Sequence, residues 1–248
     1  MLVIPAIDLK EGRCVRLSQG RAERAKVYDA DPVAVAREFE GAGAKMLHLV
    51  DLDGAFGGPT VKSAANLAVI RAILAAVRMP VELGGGMRSI GDIDAMLALG
   101  VDSAIVGTMA VRDPEQLEEA LYRFGGERIQ LGVDAREGKV AVEGWSSATA
   151  LDAVEFALHW KARGVERVIF TDIARDGMMR GPNLEAIRRF AQGTGLRVTA
   201  SGGVASPGDL ERLAALEPLG VDRAIVGKAL YEGTVTLAEV TGPAEAAC

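Results

Sequence analysis

Two short stretches of the chain carry a carboxylate and a glycine at the same spacing. DLKEG begins at Asp8 and DAREG at Asp134, each with Gly four residues on. A lone aspartate after an apolar run can do no more than cap a loop. Two in equivalent settings can face one substrate, one removing a proton and the other delivering one, as general acid–base chemistry requires. Four further stretches combine glycine with groups that suit anions. GGGMR holds Gly84, Gly85, Gly86 and Arg88, and SGG holds Ser201, Gly202 and Gly203. Gly107–Thr108 and Gly227–Lys228 follow two nearly identical apolar runs. Glycine lets backbone N–H groups approach a phosphate closely, and the start of a following helix adds a favourable dipole. Together these groups describe a long ligand with a phosphate at each end and its reactive middle between Asp8 and Asp134.

The elements that must position these groups can be read from periodicity. The runs LVIPAID, MLHLVD, PVELG, SAIVG, IQLGVD, RVIFTD, RVTAS and RAIVG alternate with amphipathic segments. One such segment, DPVAVAREFEGAG, opens with Asp31 as N-cap and Pro32 at the first helical position, then closes on glycine. Near-continuous apolar strands separated by helices predict a parallel sheet covered by helices, and eight such units close into a (β/α)8 barrel. A single barrel over residues 1–248 suits the length. In this fold the reacting groups stand at the C-terminal ends of the strands and on the loops beyond them.

The eight strands also repeat. GVDSAIVG (100–107) and GVDRAIVG (220–227) differ only in Ser103 against Arg223. VELGGGMRS (81–89) pairs with VTASGGVAS (198–206), and IPAIDLKEGRCV (4–15) with LGVDAREGKVAV (131–142). LHLVDLDGAFGG (47–58) matches VIFTDIARDGMMRG (168–181) more loosely. Four strands written twice in one order predict two half-barrels, about 1–124 and 125–242. Asp8 and Asp134 would then end the first and fifth strands, on opposite sides of the barrel mouth.

Composition narrows the classes. A net charge of −6 argues against broad binding to nucleic acid or anionic membrane. Aromatic residues are scarce at 4%, so a core of Val, Ile, Leu and Ala is expected. The two cysteines, Cys14 and Cys248, and the two histidines, His48 and His159, form no CxxC or HxxxH spacing, so no zinc site or disulfide framework is indicated. A reducing, cytoplasmic setting fits best. MLVIPAIDLKEG meets Asp8 and Lys10 too early for a signal peptide, and no apolar run approaches the length of a membrane span. His48, inside the second strand, and His159, inside FALHWKARG, read as packing or surface residues. The polar, basic stretch 18–32 reads as a mobile loop able to close over a ligand.

The strings IPAIDLKEGRCVRLSQG, HLVDLDGAFGG, VELGGGMRS, TDIARDGMMRGPN, ASGGV and AIVGKALYEG resemble the phosphoribosylformimino-aminoimidazole carboxamide ribotide (ProFAR) isomerase family of histidine biosynthesis. The resemblance runs from Leu2 to about Val240. It implies an Amadori rearrangement of a bisphosphorylated aminoaldose to the aminoketose, without cofactor or metal, with Asp8 as base and Asp134 as acid. It further implies substrate contacts from Asp176 and Gly177 of the ARDG loop and from Thr171. Trp145 would stack on the heterocycle, Asp51 would sit near the reacting ribose or orient a neighbour, and Arg16 would meet a phosphate or a surface carboxylate. A monomer without nucleic-acid or membrane partners is expected.

Three rivals remain open at this point. The pathway's cyclase subunit typically carries Cys before the first-strand Asp, where this chain has Ala6-Ile7-Asp8. A bifunctional isomerase that also accepts phosphoribosylanthranilate shares the DLDGAFG and GPN strings. A barrel that only binds a phosphorylated metabolite would leave two rim carboxylates beside anions without a purpose.

Overall fold

The computed structural model describes residues 1–18, 21–27, 31–56, 63–142, 144–145 and 147–241, with side chains left aside at 16–18, 21–27, 148 and 240–241. Among the described residues twelve strands run in chain order. They are β1 (Leu2–Lys10), β2 (Arg13–Ser18), β3 (Arg21–Val27), β4 (Leu47–Asp51), β5 (Val81–Gly84) and β6 (Ser103–Val106). They continue with β7 (Ile129–Arg136), β8 (Lys139–Val142), β9 (Ser147–Asp152), β10 (Arg167–Asp172), β11 (Arg197–Ser201) and β12 (Val221–Val226). Eight of them pair in parallel in the cycle β1–β4–β5–β6–β7–β10–β11–β12, and β12 returns to β1. The sheet is a closed (β/α)8 barrel, as the alternating pattern predicts.

The remaining four strands correct the sequence reading. β1 and β7 do not stop at their aspartates but run on to Lys10 and Arg136 and fold back as antiparallel hairpins, β1–β2 and β7–β8. The turns are the EG pairs of DLKEG and DAREG. Glu11 and Gly12 have φ of 52° and 74°, and Glu137 and Gly138 have 51° and 77°. Two successive residues with positive φ make the mirror-image turn whose twist matches that of the flanking strands. Both hairpins hold the same register: Asp8 lies opposite Val15, and Asp134 opposite Ala141. The stretch taken for a loop at 18–32 includes β3, which pairs with β2. Residues 19–20 and 28–30 of that expected lid, and the Arg16 side chain, lie outside the described residues.

The helices form as their caps dictate. Asp31 accepts a hydrogen bond from the Val33 N–H and Pro32 begins the helix Pro32–Gly41. Ser89 caps Ile90–Leu99, which ends on Gly100 at φ 111°. Among the described residues no helix is long and apolar enough to cross a membrane.

Strand alternation divides the interior in two. Side chains that point outwards, such as Leu47, Leu49, Val81, Leu83, Val198 and Ala200, pack under the helices in one continuous apolar layer. Those pointing inwards include a small apolar cluster of Ile4, Ala6, Ile169 and Ile225. Other inward positions are polar and buried, among them His48, Glu82, Ser103, Gln130, Arg167 and Thr199. The expected Val, Ile, Leu and Ala core therefore makes up the outer layer and part of the inner one. Ser103 and Arg223, the one difference between the near-identical runs, both fall on the inward face.

The glycine pairs after β5 and β11 repeat in conformation as well as in sequence. Gly85 and Gly86 have φ of 91° and 75°, and Gly202 and Gly203 have 91° and 89°. A Cβ on Gly85 would lie 2.1 Å from the Asp51 carbonyl oxygen, and one on Gly203 would lie 2.6 Å from that of Gly181. Gly100 also has positive φ, but a Cβ there would meet nothing within 4 Å. Gly100→Ala should therefore cost only the backbone term, about 1–2 kcal/mol. Gly85→Ala should cost clearly more, because the Asp51 backbone must also move. Chemical denaturation of the two variants checks this, and equal losses would show that the contact with Asp51 carries no constraint.

Candidate active site

A cavity opens at the C-terminal ends of the barrel strands, and both Asp8 and Asp134 line it. Each is held where its barrel strand passes into an antiparallel hairpin, so the hairpin's hydrogen bonds fix the backbone on which the carboxylate stands. Asp134 keeps some surface open to the cavity but is otherwise enclosed by protein. Burial pushes its carboxyl above the usual carboxylate range. Hydrogen bonds donated by the Trp145 indole and the Thr171 hydroxyl, together with the charge of His48, act in the opposite direction without cancelling it.

The residues marked out in the sequence divide into two groups. Gly84, Gly85, Gly107, Thr108, Trp145, Thr171, Asp176, Gly177, Ser201, Gly202, Gly203, Gly227 and Lys228 line the cavity beside the two aspartates. Among these, Lys228 donates to the Gly177 carbonyl at 2.8 Å, tying the loop after β10 to the end of β12. Trp145 stands at φ 70°, and its indole points at the Asp134 carboxylate. A non-glycine residue held there marks a backbone constrained by its surroundings.

Asp51, Gly86 and Arg88 are not cavity-lining; they build the scaffold beneath. The Asp51 carboxylate accepts from the Gly54 N–H at 3.0 Å and the Asn66 amide at 2.6 Å. Asn66, fully buried, accepts from the Gly12 N–H at 2.7 Å and donates to the Leu9 carbonyl, so Asp51 braces the β1–β2 turn. The Arg88 guanidinium donates to the Gly54 carbonyl at 3.0 Å, a contact inside the protein. Gly86 packs its Cα against Gly54.

Several functional positions were missed in the sequence. Asp172 and Asn183 repeat the Asp51–Asn66 bond, the Asn183 amide donating to Asp172 at 2.6 Å. The loose match of LVD with FTD was the available signal for it. Phe56 lines the cavity, and a Cβ on Gly144 would lie 2.3 Å from its ring. His48, read as a packing or surface residue, faces inwards, lines the cavity and hydrogen-bonds Glu82. His159 is exposed on the helix Ala153–Lys161, next to Arg163.

Fold and cavity together define a (β/α)8 barrel with a cavity at its C-terminal face, lined by paired carboxylates between glycine-rich loops. The model of the histidine biosynthesis protein family matches residues 2–236, and the chain belongs to that family. Among its relatives, a protein of Pelotomaculum thermopropionicum is 54% identical over 96% of this chain and 90% of its own length. One of Syntrophomonas wolfei is 49% identical over 99% of each, and one of Geobacter sulfurreducens 52% over 96% of each. All three are named 1-(5-phosphoribosyl)-5-((5-phosphoribosylamino)methylideneamino) imidazole-4-carboxamide isomerase.

The state of Asp134 has a consequence for stability. Its carboxyl is raised in the folded protein, so ionising it costs folded-state stability. The penalty is absent below the unfolded value and grows as pH rises through the folded one. Asp134→Asn keeps an acceptor for Trp145 and Thr171 and removes the charge. Its Tm should exceed that of the wild type at pH 7 by a few degrees, the scale on which about 1 kcal/mol registers in a chain of this size. The gap should close below about pH 4, near the unfolded aspartate value. Calorimetry across pH 3–8 checks both, and a gap independent of pH would contradict the assignment.

Proposed function

We propose that this chain is the isomerase of histidine biosynthesis that converts the bisphosphorylated aminoaldose ProFAR into the aminoketose PRFAR. The single observation that carries this reading is one cavity lined by Asp8 and Asp134 and bordered by two matching pairs of positive-φ glycines. The relatives named as this isomerase cover nearly the whole chain. The two glycine sets, with Thr108 on one side and Lys228 on the other, suit the two phosphate ends of such a substrate.

In this mechanism Asp134 begins protonated, in keeping with a carboxyl raised by burial. It gives its proton to the furanose ring oxygen as the glycosylamine nitrogen lone pair expels that oxygen. The C1–O bond breaks, and an open-chain protonated imine forms. Asp8, ionised, removes the proton at C2, and the electron pair moves into C1–C2 to give an enolamine. Loss of the proton on the C2 hydroxyl and protonation at C1 complete the aminoketose, so no atoms are gained or lost. Trp145 and Thr171 hold the Asp134 carboxylate once it has given up its proton. Trp145 and Phe56 wall the space offered to the heterocycle. The protein works as a monomer in the cytoplasm, with this small molecule as its partner.

The test is a side-by-side spectroscopic assay on ProFAR and on phosphoribosylanthranilate, with Asp8→Asn and Asp134→Asn beside the wild type. Turnover of ProFAR should fall roughly 10²-fold to 10⁴-fold in each variant, the range of one lost acid–base group. Turnover of both substrates by the wild type would make it the bifunctional form. Retained turnover in Asp134→Asn would shift the acid role to Asp176, the other carboxylate of the cavity wall. The kcat profile should fall at high pH as Asp134 loses its proton.

A further inference from the structure

Glu82 is fully buried and takes no part in the steps above. Both of its oxygens are engaged. Oε1 accepts from the His48 Nδ1–H at 2.7 Å, and Oε2 accepts from the Gln130 amide at 3.0 Å. Gln130 in turn donates to the Ser103 hydroxyl at 2.7 Å. Arg223 faces the same carboxylate electrostatically from β12. The carboxylate of β5 is thus clamped inside the barrel by side chains of β4, β6 and β7. Stability alone gives little reason for it, since a buried charged group can often be replaced by an apolar one of similar size without loss.

Its placement points to His48. The imidazole reaches from Glu82, which is not part of the cavity wall, to the cavity itself, which His48 lines. With Nδ1 occupied by a carboxylate, the tautomer and ring plane are set, and Nε2 is the nitrogen left for the cavity. His48 is also near enough to Asp134 to act on that carboxyl electrostatically.

We propose that Glu82 is a positioning residue for the isomerisation, acting through His48. It holds the ring so that Nε2 meets a sugar oxygen of the substrate, between the phosphate ends and beside Asp134. The proposal rests on the isomerase reading above.

The test combines kinetics with proton NMR of the full chain. The chain has only two histidines, and the exposed ring of His159 exchanges its proton with water, so a far-downfield imidazole resonance belongs to His48. The wild type should show that resonance without substrate, and Glu82→Gln should move it upfield. Glu82→Gln should lower kcat for ProFAR on the order of 10-fold, the effect of a lost partner behind a working histidine, with KM within about twofold of wild type. In a His48→Asn background, adding Glu82→Gln should change the remaining turnover by less than about twofold, because the two act as one unit. Wild-type kcat in Glu82→Gln, an equal loss in the His48→Asn background, or the lack of the resonance in the wild type would each overturn the proposal. A wild type that shows the resonance but does not turn over ProFAR would instead overturn the isomerase reading. The NMR comparison stands even where a variant loses Tm, because it is read on the folded protein.

Discussion

Closing eight parallel strands into a ring leaves each strand with one face towards the helices and one towards the barrel axis. The rest of the structure depends on that constraint. Most outward side chains are apolar and pack in one continuous layer under the helices. Inward side chains share a narrow space that opens to solvent only at the mouth, so each polar group placed there needs a partner or a ligand. Glu82, His48, Gln130 and Ser103 partner one another. Arg167 makes a two-pronged pair with Asp222 at the edge of the same space, at 2.5 and 2.7 Å. At the mouth, Asp8 and Asp134 stand on strands that fold back as hairpins.

The duplicated sequence is duplicated in its hydrogen bonds. Asp51–Asn66 and Asp172–Asn183 brace equivalent loops, and Asp92 and Asp209 accept from the backbone of equivalent helix starts. Gly85–Gly86 and Gly202–Gly203 share their backbone conformation. Chemistry needs the symmetry broken, since an acid and a base must differ. The Trp145 indole stands against Asp134, in a turn of positive φ. Ser103 against Arg223, one letter in the repeat, sets a neutral hydroxyl against a guanidinium inside the barrel. Burial then separates the electrostatics of equivalent positions that the sequence writes almost identically.

How much was legible follows from the range of each interaction. Periodicity of two and of 3.6 residues, glycine after a strand and an aspartate before Pro are local signals, and they placed the eight barrel strands and the first helix. The repeat placed Asp8 and Asp134 in equivalent settings and paired the glycine loops. The hairpins were misread although their signal was local: Glu-Gly was taken as a spacing from the aspartate, when it is the turn itself. Arg88 was assigned to a phosphate because its charge suits one, and Asp51 either to the reacting ribose or to a neighbour it would orient. Their partners, Gly54 and Asn66, come from segments that only the folded chain brings near.

By itself, the sequence determined the closed barrel, its internal repeat, the two rim carboxylates and the glycine loops, because each is written within a few residues or by self-similarity along the chain. Tertiary structure alone decided which groups face the cavity, that Asp134 is the buried carboxyl, and that His48 is backed by a carboxylate 34 residues away. The reason is physical. Burial and partner geometry are properties of the closed ring, and a polar residue on a strand carries no local mark of what will stand opposite it once the ring has closed.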